Sequence, residues 1–284
     1  MTNKKQRPDL APITRDDVLA FLESAADFSF EMRVLKQLRH LGFECEHGGT
    51  YKDPLLGKAR QYDIRARRQV HLDGYPNDVF SLRLAVECTN LREWAPLLVH
   101  AVQRTWEEAY HDLLVRPIST SGRLNKRRIS PDQSLYRPHE WVGKRADQVV
   151  RTKDGAGFQR SDSEAWAKID QAVSSAQALS YGVAQDGRTR EAHSIIPVVV
   201  VPDGRLWQVG YANDGTRVEE PELVPFATYF LNREWQVQSP APYHDQASFS
   251  VSHVELVTET GLAERVKHLT GWKGPFGHAE AVVS

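Results

Sequence analysis

The 284-residue sequence predicts an α/β fold in which a mixed central sheet is flanked by helices. Segments whose apolar residues recur at helical spacing alternate along the chain with β-branched segments and with segments of strict polar–apolar alternation. Hydrophobic residues make up 40% of the chain and charged residues 26%. This is the composition of an ordinary globular protein, and the length is sufficient to bury a large core.

Composition also limits the compartment and the class of partner. The longest apolar run, residues 195–201, is too short to cross a bilayer, so we expect no membrane segment. The basic residues 1–12 have no apolar stretch behind them, which argues against a secretory signal. Only two cysteines, Cys45 and Cys88, are present, which favours a reducing, cytoplasmic location. A net charge of −1 excludes a uniformly basic protein but leaves room for local basic patches.

Two helices are predicted at the start of the chain. Residues 15–26 have the apolar spacing of a short lead-in helix. In the second helix, which starts near residue 28, apolar residues from Val34 to Leu41 share one stripe, and Gly42 suits the left-handed residue that ends a helix. Glu31 stands at the N-terminal end of this buried stripe, where a carboxylate is expected to have a structural or functional role.

Residues 61–70 and 79–90 are predicted to form a β-hairpin across a turn-rich connection. Successive side chains of a strand face opposite sides, so Asp63 and Arg65 share one face of the first strand. In the second strand, residues 82, 84, 86 and 88 form the core face and Glu87 lies opposite. When the two core faces are paired, Asp63 and Glu87 converge on one surface.

The rest of the chain is predicted as a continuation of the same sheet. A capping box of Ser161 and Glu164 begins a long helix with a small-residue face. The other expected elements are a strand at 96–102, a helix at 104–115, loops and short elements over 116–160, the helix at 161–182, a buried strand at 195–201 turning into another at 206–211, a strand at 248–257 and a helix at 261–269.

Two carboxylates on neighbouring strands are suitable ligands for a hard divalent cation. Mg²⁺, or Mn²⁺ in its place, takes oxygen ligands and keeps several waters for its substrate. Asp63 and Glu87 would supply two ligands, and the backbone carbonyl of Cys88 could supply a third. Glu31 could bind the metal or orient a water whose pKa the metal lowers.

The same residues resemble a known family. Residues 28–90, with a helix glutamate, a strand aspartate and a Glu-X-Lys-like segment on the next strand, look like the PD-(D/E)XK, or restriction-endonuclease-like, nuclease superfamily. The resemblance implies a restriction-endonuclease-like core with a C-terminal α/β elaboration. It also implies magnesium-dependent hydrolysis of DNA phosphodiester bonds, in bacterial restriction or phage defence, with Asp63 and Glu87 as metal ligands and Glu31 as the helix glutamate.

The sequence departs from the family pattern at the motif lysine, whose position holds Thr89. A neutral hydroxyl cannot place a positive charge beside a phosphate or stabilise a hydroxide. Three cations could replace it: Arg65 on the Asp63 face, Lys58 just before that strand, and the more distant Lys144. An arginine is a poor proton acceptor, so Arg65 would favour phosphate clamping over general-base work.

Basic clusters mark candidate contacts with nucleic acid, with DNA as the expected form. The first comprises Arg123, Lys126, Arg127 and Arg128, the second comprises Lys144, Arg145 and Arg151, and a further cluster of Arg65, Arg67 and Arg68 lies on the strand after Asp63. Charge runs of this kind are also typical of a solvated surface, and the sequence leaves both interpretations open. A homodimer or a partner protein of a defence system is compatible with the sequence as well.

Three functional hypotheses follow. The first is a metal-dependent nuclease, and the second, motivated by Thr89, is a catalytically degenerate module that binds nucleic acid or a partner protein. The third is an unrelated enzyme or structural partner whose acidic residues are fortuitous. The predicted organisation is a tail and lead-in helix over 1–27, a nuclease-like core over 28–115, and a continuation of the same body, with a possible subdomain, over 116–284.

Overall fold

A computed structural model describes residues 11–24, 27–53, 57–72, 75–92, 94–116, 125–161, 164–185, 190–238 and 246–272. These residues form an α/β fold with a large mixed sheet flanked by a few helices. The helices are α1 (Arg15–Ser24), α2 (Phe28–His40), α3 (Glu164–Gln185) and α4 (Gly261–Thr270). No helix among the described residues is both long enough and apolar enough to cross a membrane.

Fifteen strands are formed by the described residues. They are β1 (Glu44–His47), β2 (Thr50–Lys52), β3 (Ala59–Gln61), β4 (Ile64–Leu72), β5 (Tyr75–Cys88), β6 (Leu97–Gln103), β7 (His111–Arg116), β8 (Asn125–Ile129), β9 (Trp141–Arg151), β10 (Phe158–Ser161), β11 (Arg190–Val201), β12 (Leu206–Tyr211), β13 (Glu222–Leu223), β14 (Phe226–Gln238) and β15 (Gln246–Thr258).

Thirteen of these strands join in one sheet, whose main path is β1-β4-β5-β11-β15-β14-β9-β6-β12-β13. β4 and β5 are antiparallel, whereas β11 lies parallel to both β5 and β15, so the sheet is mixed. Strands β2 and β3 form a separate hairpin. The path joins strands from the first third of the chain to strands near its end.

The core lies on both faces of the sheet, which gives three layers. On one face, α2 and α4 pack against a cluster that includes Leu84, Val86 and Val198. On the other face, α3 packs against residues of opposite parity, among them Ala85 and Val199. The predicted core face of β5 is therefore confirmed, and Glu87 lies on the face that α3 covers.

Both early helices and the hairpin agree with the sequence-based predictions. α2 ends before Gly42, whose φ of 81° is the expected left-handed conformation. The connection between β4 and β5 is shorter than predicted, because both strands extend into the segment that we expected to be a turn. Further along the chain, the strand at 97–103, α3, β15 and α4 are also formed, although α3 begins at Glu164 and Ser161 ends β10.

Two predictions were wrong and one was incomplete. Residues 104–115 are not a helix but a 3-10 turn, Glu107–Ala109, followed by β7, which is held between β8 and β11. Residues 116–160, of which 117–124 lie outside the described residues, contain the expected short elements but also the eleven-residue strand β9, which was not expected. The strands β11 and β12 exist but do not pair with each other, because β12 joins β6 and β13 at the far side of the sheet.

Candidate active site

The hairpin register brings Asp63 and Glu87 together, as the alternation of polar and apolar residues predicts. Ile64 pairs with Val86, so Asp63, one residue before β4, stands opposite Glu87 near the end of β5. Oδ2 of Asp63 accepts a hydrogen bond of 2.8 Å from the backbone amide of Cys88. This contact fixes the aspartate against the strand that carries the glutamate.

Glu87 is an acid without a hydrogen-bond donor. Its side chain is 0% exposed, and neither carboxyl oxygen accepts a hydrogen bond from the described residues. A buried carboxylate in this state is costly unless a cation or a proton compensates it. The residue therefore either carries a proton or serves a positively charged ligand.

Lys168 of α3 is the cation that reaches this pair. Its Nζ lies 2.9 Å from Oδ2 of Asp63 and 3.7 Å from Oε2 of Glu87, and the lysine side chain is 19% exposed. The sequence analysis considered Arg65, Lys58 and Lys144 as replacements for the motif lysine, and it did not identify Lys168. The structure thus places an ammonium group beside both carboxyls, from the helix that covers their face of the sheet.

Burial and mutual charge perturb all three groups. The pKa of Glu87 is raised to about 9, chiefly by burial and then by the charge of Asp63, while Lys168 acts in the opposite direction. Burial alone would lower the pKa of Lys168, but the charge and hydrogen bond of Asp63 raise it above its ordinary value. At neutral pH, without a bound cation, Glu87 is therefore protonated and Lys168 is charged.

Two further acids lie near the helix α2. Asp27, at its N-terminus, has a pKa raised chiefly by burial, and it experiences the charges of Lys168 and Asp63. Glu31 instead pairs with His47, whose Nε2 lies 3.0 Å from Oε2 of Glu31. Among the described residues Glu31 makes no hydrogen bond or ion pair with Asp63 or Glu87, but its charge acts on the buried Cys88 together with theirs. Its role as the helix glutamate stays a prediction.

The position of the missing lysine is filled by the buried Thr89. Its side chain is 1% exposed, and its hydroxyl has no hydrogen-bond partner among the described residues. Lys58 is exposed in the connection between β2 and β3, and its carbonyl accepts a hydrogen bond from Asp53. Cys88 places its amide against Asp63, while its carbonyl as a metal ligand stays a prediction.

Arg65 lies on the face that also carries Asp63, but its guanidinium is held by two tyrosine rings. Its guanidinium is stacked 4.1 Å from the ring centre of Tyr62 and 5.3 Å from that of Tyr51. Nε and Nη2 of Arg65 are buried and have no hydrogen-bond partner among the described residues. Arg65 therefore neighbours the acidic pair without neutralising it.

The predicted nucleic-acid-binding residues lie on strands rather than loops. Lys126, Arg127 and Arg128 form part of β8, with Lys126 3.5 Å from Asp112 and Arg128 over the ring of Tyr110. Along the sheet, Lys126 is opposite Leu114, which pairs with His193 of β11, whereas Glu87 pairs with Val199. Six residues of strand separate the two places, or about 20 Å.

The second basic cluster is also remote from the acidic pair. Lys144 and Arg145 belong to β9, four strands from β5 in the sheet order. Lys144 pairs with Glu108 and lies 4.6 Å from the ring centre of Phe230, while Arg145 contacts Asp147 at 2.8 Å. Lys144 is therefore not the cation of the Asp63–Glu87 pair, which is a correction to that alternative.

The donor set fits a divalent cation of the magnesium type only in part. Among the described residues, no group of three or more His, Cys, Asp or Glu side chains is arranged to hold a metal ion. Mg²⁺, however, is commonly bound through one or two carboxylates together with water and substrate phosphate. The unsatisfied oxygens of Glu87, with Asp63 beside them, meet that smaller requirement.

One sequence signal could have identified Lys168. It follows Ala165 by three residues and precedes Ala172 by four, so it falls on the small-residue stripe that was predicted to pack on the sheet. A lysine on a buried stripe needs an acidic partner.

Comparisons with protein-family models, with curated proteins and with solved structures find no match for this chain.

Proposed function

We propose that the chain is a metal-dependent nuclease with a restriction-endonuclease-like core, in which Lys168 takes the role of the lysine that Thr89 replaces. The observation that carries the proposal is the contact of one ammonium group with two carboxyls, one of which is fully buried and accepts no hydrogen bond. A purely structural cluster seldom leaves both oxygens of a buried carboxyl group without a hydrogen bond. Perturbed acids and a lysine on one surface are also typical of catalytic sites.

The roles of the residues follow from their charges. A bound Mg²⁺ or Mn²⁺ would polarise the scissile phosphate and lower the pKa of a water. Asp63 and Glu87 would hold the cation, and Glu87 must release its proton to do so. Lys168, whose ammonium lies beside both carboxyls, would stabilise the negative charge that develops. DNA as the substrate, and a place in restriction or phage defence, rest on the family resemblance alone.

Cleavage of labelled DNA and RNA, single- and double-stranded, with and without Mg²⁺ or Mn²⁺, tests this proposal. We expect cation-dependent cleavage that Asp63→Asn, Glu87→Gln and Lys168→Met each reduce by at least about 100-fold. Lys153→Met, at an exposed turn residue, is the matched control and should cleave normally. Cleavage that survives both carboxylate substitutions in folded protein would refute the assignment.

A second candidate function is binding without hydrolysis, and a specific observation favours it. The ammonium of Lys168 already lies within hydrogen-bonding distance of Asp63, so the cluster has an internal counter-charge. In a degenerate module, this ion pair would be structural and would exclude a cation. Calorimetric titration with Mn²⁺ separates the two cases, since a catalytic site binds the ion in wild type and a structural ion pair binds it only in Lys168→Met.

A further inference from the structure

A polar cavity, separate from the contacts of the acidic pair, lies on the face of β4 that carries Asp63. It measures about 280 Å³, many times the ~30 Å³ share of one water, so it has room for a phosphate group. Its walls include three arginines, two acids on the edge strand and one residue of α3: Arg65, Arg67, Arg83, Glu44, Glu46 and Leu179.

The arginines are aligned with the acidic pair by strand geometry. Arg67 pairs with Arg83 across β4 and β5, and Arg65 lies one step closer to Asp63 on the same face. A strand rises about 3.3 Å per residue, so Arg65 and Arg67 follow Asp63 at about 7 Å and 13 Å. Leu179 is eleven residues after Lys168 on α3, about 16 Å along the helix, which places the cavity and the acidic pair beneath one helix.

Arg65 is built to receive an anion. Two of its nitrogen atoms are buried without a hydrogen-bond partner among the described residues, and so is Nε of Arg67. Leaving charged donors buried and unsatisfied is costly, so such groups usually serve a ligand. The stacking of Arg65 on Tyr62 and Tyr51 fixes its plane in advance.

Nearby acids accept no hydrogen bond from the buried nitrogens of Arg65 and Arg67 within the described residues. The exposed Glu46 accepts a hydrogen bond of 2.9 Å from the hydroxyl of Tyr62, the ring on which Arg65 stacks. Nη2 of Arg67 lies 3.5 Å from Glu191, whereas its buried Nε has no hydrogen-bond partner within the part of the chain that the structure describes. A planar guanidinium with free N–H groups binds phosphate oxygens in a bidentate manner better than any other side chain.

We propose that Arg65 and Arg67, with Arg83 beside them, form a phosphate-binding subsite that holds a backbone phosphate neighbouring the one at Asp63 and Glu87. The inference rests on the proposed nuclease function for the identity of the strand, but the phosphate chemistry follows from the arginines themselves. Arg65 is thus a binding residue that positions the substrate.

Oligonucleotide binding tests the subsite, with cleavage blocked by Glu87→Gln in every protein. Fluorescence anisotropy at several salt concentrations should give an affinity for Arg65→Gln that is lower by about tenfold or more. The slope of log affinity against log salt should also fall by about one, since one phosphate contact is lost. Arg65→Lys should keep the slope, and Arg217→Gln, an exposed arginine in the connection after β12, should keep both values.

Inorganic phosphate and pyrophosphate provide a test that does not require the proposed activity. Either ion should raise the melting temperature of wild type and of Arg217→Gln but not that of Arg65→Gln, and Arg67→Gln serves if Arg65→Gln does not fold. If phosphate protection depends on Arg65 while no nucleic acid is cleaved, the subsite stands and the nuclease proposal fails. Equal protection and equal salt slopes in wild type and in both arginine variants would overturn the subsite.

Discussion

Glu87→Gln should make the protein more stable at neutral pH while abolishing the activity proposed for it. In the folded protein, burial raises the pKa of Glu87 to about 9 from an ordinary value of 4.5. Between these two values, the folded state binds a proton that the unfolded state has released, so the free energy of unfolding falls as the pH rises. The slope is about 1.4 kcal/mol per pH unit, because one unit of pKa shift corresponds to that energy.

The substitution removes this dependence because glutamine does not titrate. From about pH 5.5 to about pH 7.5, wild type should lose about 3 kcal/mol relative to Glu87→Gln. Urea denaturation at a series of pH values measures the difference directly. Other titrating groups, including the buried His111, whose pKa burial lowers to about 3, are common to both proteins and cancel.

Glu220→Gln provides a control for the charge change, since the side chain of Glu220 is 81% exposed. Its stability should follow that of wild type at every pH. Adding Mn²⁺ at about pH 7.5 should stabilise wild type and not Glu87→Gln, because only the former has the carboxylate. Parallel curves for wild type and Glu87→Gln would refute the conclusion that this carboxyl is buried without compensation.

Two further predictions concern the packing of the fold. Gly261→Ala should destabilise the protein by at least about 2 kcal/mol in chemical denaturation, because a Cβ there would lie 2.0 Å from the carbonyl oxygen of Pro225. Gly182→Ala, in open space on α3, should stabilise it by about 0.5–1 kcal/mol. Equal changes in the free energy of unfolding for the two variants would contradict this account. Arg265→Met should lower the free energy of unfolding by about 3–5 kcal/mol, because it leaves the buried Glu255, which Arg265 contacts at 2.7 Å, without its cation. Adding Glu255→Leu to this variant should recover most of the loss. If the double variant were no more stable than the single one, the cost would not come from the unpaired charge.

The hairpin was predictable from sequence because its signal is local. Alternation in β5 sets the apolar side chains against α2 and the polar ones on the other face, and a single register satisfies both strands. The segment that forms β7 gave the opposite result. Its apolar residues are compatible with a helix, but pairing with β8 and β11 decides its conformation, and β11 lies far along the chain.

Strand β14 was also not predicted, for a local reason. Asn232 adopts a positive φ of 52°, and the pairing with β15 shifts between Phe230 and Arg233. A bulge of this kind places two residues opposite one, so the polar–apolar alternation loses its phase in the middle of the strand. Sequence periodicity then indicates two short irregular segments where the structure has one long strand.

The acidic pair was predictable and its cation was not, which follows from how each is positioned. Asp63 and Glu87 are joined by one hairpin, whereas Lys168 reaches Asp63 across 105 residues of sequence. The buried stripe of α3 carries the lysine, but its register on the sheet is set by tertiary packing.

Delivery of the cation by a helix has a physical consequence. A lysine on β5 would be held by the same backbone as Glu87, so the two groups could not move independently. Lys168 instead depends on the packing of α3 against the sheet, and the same helix closes one wall of the arginine cavity. A shift of α3 would therefore move Lys168 and Leu179 together, and so change both the charge at the acidic pair and the shape of the neighbouring cavity.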